Sequence, residues 1–565
     1  MTTFHAVING KHVPLEFEEQ EISSGGQGHI FSVQSPTNLK KFCAKIYKDE
    51  HHVKQNEEKV EYMILHKPVN TNMEKIRICW PEHIVLDSKG AFAGFLMLKA
   101  FEGSRDLKII EIHTIGKTIA EKYPQYKEWH GKYELDDPIG FLNRMKMLLN
   151  WAVATEIIHN TGKYVIVDLK PENVLATAKG KISVVDTDSF QINNQHSYFA
   201  CPVATPEYFA KFAKERFLKK LPQTYECDCF ALAISFYKIL MGVHPFCGFK
   251  LLPPYDSDEY SDIASRIDAD LYVFGRHKQY IELLKTNNMH SRFERLPDIL
   301  KHLFMRAFNG GTQPTATEWK KAFQSICSPG GRLKVPKSPK GFSSSSNSES
   351  RCLCTLVVDV SGSMNICINS LNKALSSFFN DLRYGRGGFR EVSKEQIEIA
   401  ILWFDSDAKV VRIPSLISDE ENAPILKTRG LKTNTSLAIR KAISITENRK
   451  AKYKEVGLTY YRPWIILMTD GNPNPYDEDD IRRLIEEVHM GLSQHKFMFT
   501  AIGLGTKVDS SFLSEISDNH YTYINNSNIS DLFEALSGSI SNMSKSIAAN
   551  PQEDLLGSLS KSIDF

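Results

Sequence analysis

The run LVVDVSGSMN, residues 356–365, decides the fold class of the second half of the chain. Its apolar residues predict a strand that ends in Asp359, and Ser361 and Ser363 follow at alternate positions. Carboxylate and hydroxyl oxygens are the ligands that a hard divalent cation such as Mg²⁺ prefers. An Asp-x-Ser-x-Ser sequence at the carboxyl end of a strand therefore predicts half of a metal site.

Two later residues are candidates for the other half of this site. Thr435 lies in LKTNTSLAIRKA, just before a predicted helix, and Asp470 ends the apolar strand of IILMTDGNPNP. The carboxyl ends of adjacent parallel strands meet at one edge of a sheet, so we expect these side chains to converge with Asp359. Helix capping and turn formation are alternative roles for both residues.

Strands and helices alternate after residue 350. The hydrophobic pattern predicts strands at 352–358, 397–404, 464–469 and 497–503, and helices at 366–383, 436–447, 478–493 and 528–545. Such alternation is typical of a parallel sheet covered by helices on both faces.

The order of the five candidate ligands resembles that of the von Willebrand factor A fold and its metal-ion-dependent adhesion site, over residues 351–546. The resemblance implies a doubly wound, Rossmann-like domain in which Asp359, Ser361, Ser363, Thr435 and Asp470 hold Mg²⁺ (or Mn²⁺ or Ca²⁺), directly or through water. It also implies an open metal position that an acidic residue of a partner protein fills.

The stretches RPWIILMTDG and WFDSDAKV resemble short bacterial A domains of tellurite-resistance-type gene clusters. A kinase and a metal-dependent protein phosphatase commonly accompany such domains. The resemblance therefore implies bacterial stress or defence signalling, with such a phosphatase as a further candidate partner.

The first half of the chain carries a glycine-rich run and a strand lysine. Residues 22–33, ISSGGQGHIFSV, place Gly25, Gly26 and Gly28 between two β-like runs, where backbone N–H groups can approach phosphate oxygens. Glycine turns are common, so this pattern alone is weak. Lys45 follows in FCAKIY, and its apolar neighbours favour an ion-pairing role over a solvated one.

A second motif is more specific. The run VIVDLKPENVL, residues 165–175, holds Asp168, Lys170 and Asn173 within six residues, and Asp186 follows in VVDTDSF. The order and spacing of these elements resemble the catalytic loop and metal-binding aspartate of protein kinases, over residues 15–327. The resemblance implies a bilobal kinase fold that uses ATP and one or two Mg²⁺ ions.

The same resemblance implies a role for each residue of the motif. Asp168 would accept the proton of the substrate hydroxyl, and Lys170 would contact the γ-phosphate. Asn173 and Asp186 would hold Mg²⁺, and Lys45 would hold the α- and β-phosphates.

Two further residues would support this machinery. Glu61, in KVEYMIL, is the candidate partner of Lys45, with Glu57 and Glu58 as rivals. Thr205, in VATPEYFA, matches the threonine that braces the catalytic loop, and Asp228 matches an aspartate that supports the same loop.

The motif also departs from the family pattern. Ile166 and Val167 replace the His-Arg pair that often precedes the aspartate, which predicts a kinase that needs no activation-loop phosphorylation. Thr187 and Asp188 replace the phenylalanine and glycine that usually follow the metal-binding aspartate.

Composition and patterning set the domain organisation. The chain has 565 residues and a net charge of +2, which gives no indication of a nucleic-acid partner. We expect kinase lobes at 1–102 and 103–327, a flexible Ser/Pro/Gly/Lys linker at 328–350, the A domain at 351–546 and a tail at 547–565. β-like runs are predicted at 30–33, 41–47 and 91–98, and helices at 141–159 and 229–241.

We expect a cytoplasmic protein without a membrane partner. No run approaches the ~20 apolar residues of a membrane span, and no secretory pattern is visible. The ten cysteines contain no C-x-x-C pair, which favours reduced, buried thiols over a zinc site.

Together the motifs predict an ATP- and Mg²⁺-dependent serine/threonine protein kinase that recruits a substrate or regulator through its A domain. Two alternatives remain open at the level of sequence. One is a catalytically weak, nucleotide-binding pseudokinase scaffold. The other is transfer of a different group, such as AMP, because a fold does not fix the group transferred.

Overall fold

A computed structural model describes residues 4–24, 27–111, 117–193, 198–285, 288–328, 350–386, 389, 396–418, 421–430, 432–474, 476–505, 510–525, 528–543 and 551–562. The chain forms two compact units. The first takes its described residues from 1–204, 208–245 and 289–344, and the second from 205–207, 246–288 and 345–565.

The strands before residue 328 are mostly short. They are Phe4–Ile8 (β1), Lys11–Ser24 (β2), Gly28–Ser35 (β3), Phe42–Tyr47 (β4), Ile76–Ile78 (β5), Pro81–Leu86 (β6), Phe92–Leu98 (β7), Arg105–Asp106 (β8), Tyr164–Val165 (β9), Val174–Ala176 (β10), Ile182–Val184 (β11), Gln191–Asn193 (β12), Tyr198–Phe199 (β13), Phe249–Leu251 (β14) and Ile281–Leu283 (β15).

The first unit begins with a closed barrel of antiparallel strands in the order β1-β2-β3-β4-β7-β6. Ala6, Val33, Ala44 and Leu96 fill its interior. A side chain at Gly94 would place its Cβ 1.9 Å from the carbonyl oxygen of the neighbouring strand, so only glycine lets β7 pair closely with β4.

The helices before residue 328 are Glu50–Leu65 (α1), Lys117–Lys122 (α2), Pro138–His159 (α3), Lys211–Leu218 (α4), Tyr225–Met241 (α5), Ile263–Asp268 (α6), Asp298–Phe308 (α7) and Ala316–Cys327 (α8). α3 begins where the Asp137 side chain accepts a hydrogen bond from the amide of Gly140, the third residue of the helix. Trp151 of α3 and Trp319 of α8 both pack edge-on against Phe236 of α5, which joins the three helices. The predicted helices and the run at 30–33 lie inside longer elements, and the runs at 41–47 and 91–98 agree with β4 and β7 to within one residue.

The second unit is built on a six-stranded sheet in the order β18-β17-β16-β19-β20-β21. Its strands are Cys352–Asp359 (β16), Ile397–Phe404 (β17), Ala408–Leu416 (β18), Trp464–Thr469 (β19), Met498–Leu504 (β20) and Tyr521–Ile524 (β21). Neighbouring strands are parallel except β17 and β18. The four predicted strands are confirmed, and the sheet is mixed because the antiparallel edge strand β18 returns directly from β17.

Helices cover this sheet. They are Ile368–Tyr384 (α9), Thr435–Glu455 (α10), Glu478–Ser493 (α11), Ser510–Ile516 (α12), Ile529–Met543 (α13) and Pro551–Ser562 (α14). Successive side chains of a strand point to opposite faces. Accordingly, Leu356 and Val358 join a hydrophobic cluster with residues of α9, α13 and α14, while Val357 joins one with residues of α10, α11 and α12.

The segment 246–288, which contains β14, β15 and α6, belongs to the second unit. Lys450 on α10 donates to Asp258 at 2.7 Å, and the Tyr460 hydroxyl donates to the same carboxylate at 2.9 Å. The Gly248 amide donates to the Gly457 carbonyl at 3.1 Å. Charged, phenolic and backbone groups thus fix this segment beside α10.

None of the ten cysteines, all in described positions, forms a disulfide, and nine are buried. No helix among the described residues is both long and apolar enough to cross a membrane. Nearly all of the expected linker, 329–349, lies outside the described residues.

Candidate active site and metal centre

The loop after β9 brings together the residues of the kinase-like motif. Lys170 Nζ lies 2.7 Å from Asp168 Oδ2, and both side chains are mostly buried. The Asn173 amide donates to the Asp168 carbonyl at 2.9 Å and to its carboxylate at 3.3 Å. The predicted catalytic residues therefore form one cluster, with the Asp168 carboxylate at its centre.

Asp228, on α5, holds this loop from behind. Its fully buried carboxylate accepts hydrogen bonds from the backbone amides of Ile166 and Val167, at 2.8 and 2.7 Å. His159 also lies 2.9 Å from it. Val167 has a φ of +65°, a left-handed conformation that is costly for a β-branched residue. The two hydrogen bonds from backbone amides to Asp228 stabilise that strained backbone. The family resemblance implies the same supporting role for this aspartate.

Lys45 and Asp186 also lie together. Lys45 Nζ donates to Asp186 Oδ1 at 2.9 Å, and to both oxygens of Asp188, at 2.8 and 2.7 Å. Burial alone would lower the pKa of Lys45, but the charges of Asp188 and then Asp186 raise it above its usual value. Burial opposes the ionisation of Asp186, yet the charge of Lys45 lowers its pKa overall. Both groups are therefore charged at neutral pH.

The prediction that a glutamate of α1 pairs with Lys45 is wrong. The side chains of Glu61, Glu57 and Glu58 are all exposed, and Asp188 takes the position expected for the helix glutamate. The inward face of α1 instead carries Asn56, Lys59, Val60 and Met63. Leu65, one turn after Glu61, is 80% exposed, so this side of α1 does not face the interior.

The glycine-rich run and Thr205 are the remaining residues of the kinase-like motif. Gly25 and Gly26 lie outside the described residues. A Cβ on Gly28 would lie 2.6 Å from the Ile46 carbonyl oxygen, so strand packing already requires glycine there. Thr205 is buried, and its bracing of the catalytic loop stays a prediction.

The second unit brings four of its five predicted metal ligands into one hydrogen-bonded group. Asp359, at the end of β16, is fully buried and accepts from the Ser361 amide at 2.8 Å. The Ser361 and Ser363 hydroxyls are 3.0 Å apart, and Ser363 donates to Asp470 at 2.7 Å. Burial, and to a smaller extent the charge of Asp470, raise the pKa of Asp359 to about 6. Hydrogen bonds from Thr469 and Ser361 oppose that shift.

The fifth predicted ligand, Thr435, is the buried first residue of α10. Its amide donates to the Thr433 carbonyl at 2.9 Å, and Thr433 exchanges two backbone hydrogen bonds with Asn474 in the loop after Asp470. The Asn434 side chain, rather than Thr435, caps the helix by accepting from the Leu437 amide. The Thr435 loop is therefore tied to the Asp470 loop, and the capping alternative for Thr435 is wrong.

Sequence reasoning missed Thr469. Its hydroxyl donates to Asp359 at 2.7 Å and lies 3.0 Å from the Gly471 carbonyl oxygen, so it links the ends of β16 and β19. The signal was present, because Thr469 is the last strand residue before Asp470, directly beside the end of β16.

Both clusters have the donor chemistry of a hard divalent cation. Asp186 and Asn173 offer carboxylate and amide oxygens. The site around Asp359 in the second unit offers only carboxylate and hydroxyl oxygens. The carboxylates of Asp359 and Asp470 repel each other in the second site, and a cation would relieve that repulsion. The described residues contain no group of three or more His, Cys, Asp or Glu side chains suited to a metal. The candidate metal site of the second unit instead combines two carboxylates with serine hydroxyls.

These two groups of residues lie in parts of the chain that match known domain families. Residues 130–289 match the protein kinase domain family, and residues 355–537 match the von Willebrand factor type A domain family. The chain thus contains a protein kinase domain and a von Willebrand factor type A domain, as its motifs indicated.

Similarity to individual proteins is partial. Protein kinase YegI of Escherichia coli is 25% identical over 192 residues, which cover 31% of this chain and 27% of that protein. A cAMP-dependent protein kinase catalytic subunit-like protein of Caenorhabditis briggsae is 33% identical over 18% of this chain and 25% of its own length. This chain thus covers about a quarter of each. The solved ROP18 kinase domain in complex with AMP-PNP and sucrose covers 57% of this chain and 84% of its own, at 14% identity and a TM-score of 0.37.

Proposed function

We propose that the protein is an ATP- and Mg²⁺-dependent serine/threonine protein kinase. The observation that carries this proposal is the cluster of Asp168, Lys170 and Asn173 around one carboxylate, together with the Lys45–Asp186 pair. Phosphoryl transfer requires positioning and charge neutralisation rather than covalent catalysis, and these five side chains supply both.

Each residue has a defined task in the proposed reaction. Asp168 accepts the proton of the substrate hydroxyl, while that oxygen bonds to the γ-phosphorus and the bond to the ADP oxygen breaks. Lys170 and Lys45 place positive charge beside the phosphates. Asp186 and Asn173 would hold Mg²⁺, which supplies further charge neutralisation when bound.

We also propose that the A domain recruits the substrate or a regulator. Asp359, Ser361, Ser363, Thr435 and Asp470 would hold Mg²⁺, or Mn²⁺ or Ca²⁺, and a partner carboxylate would complete the coordination. Support comes from the all-oxygen donor set and from the chain of hydrogen bonds that links Ser361, Ser363 and Asp470. A metal-dependent protein phosphatase is a candidate partner, in bacterial stress or defence signalling.

The domain organisation follows from the same proposal. We assign a bilobal kinase fold to residues 1–102 and 103–327, of which 246–288 packs within the second compact unit, a linker to 328–350, a doubly wound A domain to 351–546 and a tail to 547–565. The barrel strands before residue 100 and the long helices after residue 137 support the two lobes. The hydrophobic clusters on both faces of β16 support the doubly wound assignment. We place the activity in the cytoplasm, since ten cysteines without a disulfide are typical of a reducing compartment.

The proposal is tested by incubating the full chain with Mg²⁺ and either γ- or α-labelled ATP, with casein and myelin basic protein as generic acceptors. Phosphoryl transfer incorporates only the γ label, on serine or threonine, and Asp168→Asn abolishes it. Incorporation of the α label would identify AMP transfer instead. ATP binding without incorporation of either label would identify a nucleotide-binding scaffold.

The A-domain part is tested separately. A peptide library with one fixed Asp or Glu, presented to the full chain with Mg²⁺ or with EDTA, should yield ligands that bind only with Mg²⁺. Asp470→Asn should lose that binding and Asp381→Asn, on α9, should keep it. Binding that persists in EDTA would contradict the metal-dependent recruitment.

A further inference from the structure

The structure assigns to Asp188 the role of the anion that positions Lys45, a role the family resemblance gives to a glutamate on the helix. The inference rests on the proposed kinase function. It makes Asp188 a positioning residue that acts on nucleotide through the lysine.

The contacts of Asp188 are those of a built ion pair. Both carboxylate oxygens accept from Lys45 Nζ, at 2.8 and 2.7 Å, and Oδ2 also accepts from the Tyr47 hydroxyl at 2.9 Å. The side chains of Asp188 and Lys45 are only 1% and 7% exposed, whereas that of Asp186 is 41% exposed. Asp188 is therefore the buried anchor of the lysine, and Asp186 keeps a side open toward the nucleotide and metal.

The turn that carries Asp188 is itself held in place. Thr187 and Ser189 flank Asp188 in a short 3-10 helix. The Thr187 hydroxyl donates to the Cys79 carbonyl at 2.8 Å, and the Ser189 hydroxyl donates to the Asp186 carbonyl at 2.7 Å. Thr187 and Asp188, which replace the phenylalanine and glycine of the family pattern, thus act together. Thr187 fixes the turn from which Asp188 reaches Lys45.

Helix α1 cannot supply the anion. Its glutamates are exposed, and its buried residues include Lys59, which is 3% exposed. Lys59 and Asp188 both line a cavity of about 180 Å³. The positive charge of Lys59 would repel that of Lys45. On its buried face the helix therefore carries a cation and not the glutamate that the family resemblance implies.

This arrangement changes what controls the lysine. Asp186 and Asp188 are two residues apart, so the anchor of the lysine and the candidate metal ligand move as one segment. Lys45 should therefore stay in place when α1 shifts, whereas a helix glutamate would carry the lysine with the helix.

The test compares four variants of the full chain: Asp188→Asn, Asp188→Glu, Tyr47→Phe and Glu61→Gln. Transfer rate and ATP affinity are measured with Mg²⁺, and thermal unfolding is measured without nucleotide. We expect Asp188→Asn to lower the transfer rate about 10- to 100-fold, because a lysine misplaced by about 1 Å costs that much. Asp188→Glu should recover part of the rate, since the adjoining cavity has room for one methylene. Tyr47→Phe should have a small effect, and Glu61→Gln none.

A readout independent of activity is the unfolding cycle of Lys45→Met, Asp188→Asn and their double variant. Removing one partner leaves a buried charge, so the double variant should unfold at a higher temperature than the two single shifts predict together. Additive shifts, or a Glu61→Gln effect as large as that of Asp188→Asn, would overturn the inference. Absence of ATP binding by the wild type would refute the kinase proposal while leaving the result of this cycle intact.

Discussion

Asp258→Ala should destabilise the second unit, because the carboxylate fixes the segment 246–288 beside α10. Asp258 accepts from Lys450 at 2.7 Å and from Tyr460 at 2.9 Å, and Lys454 lies 2.6 Å away. The side chain of Lys450 is 2% exposed, so the substitution leaves a buried cation. Breaking such a pair from one side costs about 3–5 kcal/mol.

Two features place the cost near the lower end of that range. Glu447 lies 2.6 Å from Lys450 and remains as a partially exposed partner. Asp258 itself is 14% exposed, so some of its interaction energy is screened. We therefore expect a loss of about 3 kcal/mol in the free energy of unfolding. For a unit of this size that loss lowers Tm by about 6–12 °C.

Scanning calorimetry of the full chain measures this shift. The matched control is Glu156→Gln in the first unit, where Glu156 pairs with Lys320 at 2.6 Å. Each substitution should shift a different transition, and Lys450→Met combined with Asp258→Ala should cost less than the sum of the two. A shift below about 1 °C for Asp258→Ala, or a shift of the same transition by both substitutions, would refute the reasoning.

Three further predictions concern the same contacts and sites. Burial alone would raise the pKa of Asp258, but hydrogen bonds from Lys450 and Lys454 lower it from 3.8 to about 2. The stability it contributes, roughly 1–2 kcal/mol after screening, should be present above pH ~4 and lost as pH falls toward ~2, which urea unfolding across that range measures. Mg²⁺ should raise the Tm of the A domain, and Asp470→Asn should weaken the apparent Mg²⁺ affinity at least about 10-fold in the same thermal titration, because a charged donor is lost. Asp228→Asn keeps one acceptor oxygen but replaces the other with an NH₂ donor, which leaves one of the two buried amides without an acceptor, so it should cost about 1–3 kcal/mol in chemical denaturation and slow phosphoryl transfer while ATP affinity is retained.

The convergence of the candidate metal ligands was predictable because local sequence fixes their geometry. A strand that ends in Asp359 puts the two serines at its carboxyl end, and parallel pairing of β16 with β19 then brings Asp470 to the same edge. The clustering of Asp168, Lys170 and Asn173 was predictable for a similar reason, since they lie within six residues of the sequence. Motifs compact in sequence leave few alternatives for tertiary structure to choose between.

The parts that sequence reasoning missed depend on contacts between distant segments. The choice of Glu61 required knowing which face of α1 is buried, and the helix has only a weak apolar face that includes Lys59. Asp188 reaches Lys45 across 143 positions in the chain. The packing of 246–288 against α10 joins residues 192 positions apart, such as Asp258 and Lys450. No local pattern encodes such pairs, because their energies depend on burial that only the folded chain creates.

The most direct test of the central claim measures ATP binding and γ-phosphate transfer on the same preparation of wild type and Asp168→Asn. Asp168 lies within hydrogen-bond reach of Lys170 and Asn173 and is assigned only the proton of the acceptor hydroxyl. We therefore expect both proteins to bind ATP and Mg²⁺ with similar affinity, and the variant to transfer at least about 10²-fold more slowly. Equal transfer by the two proteins, or tight ATP binding by the wild type with no transfer to itself or to any acceptor, would contradict the account.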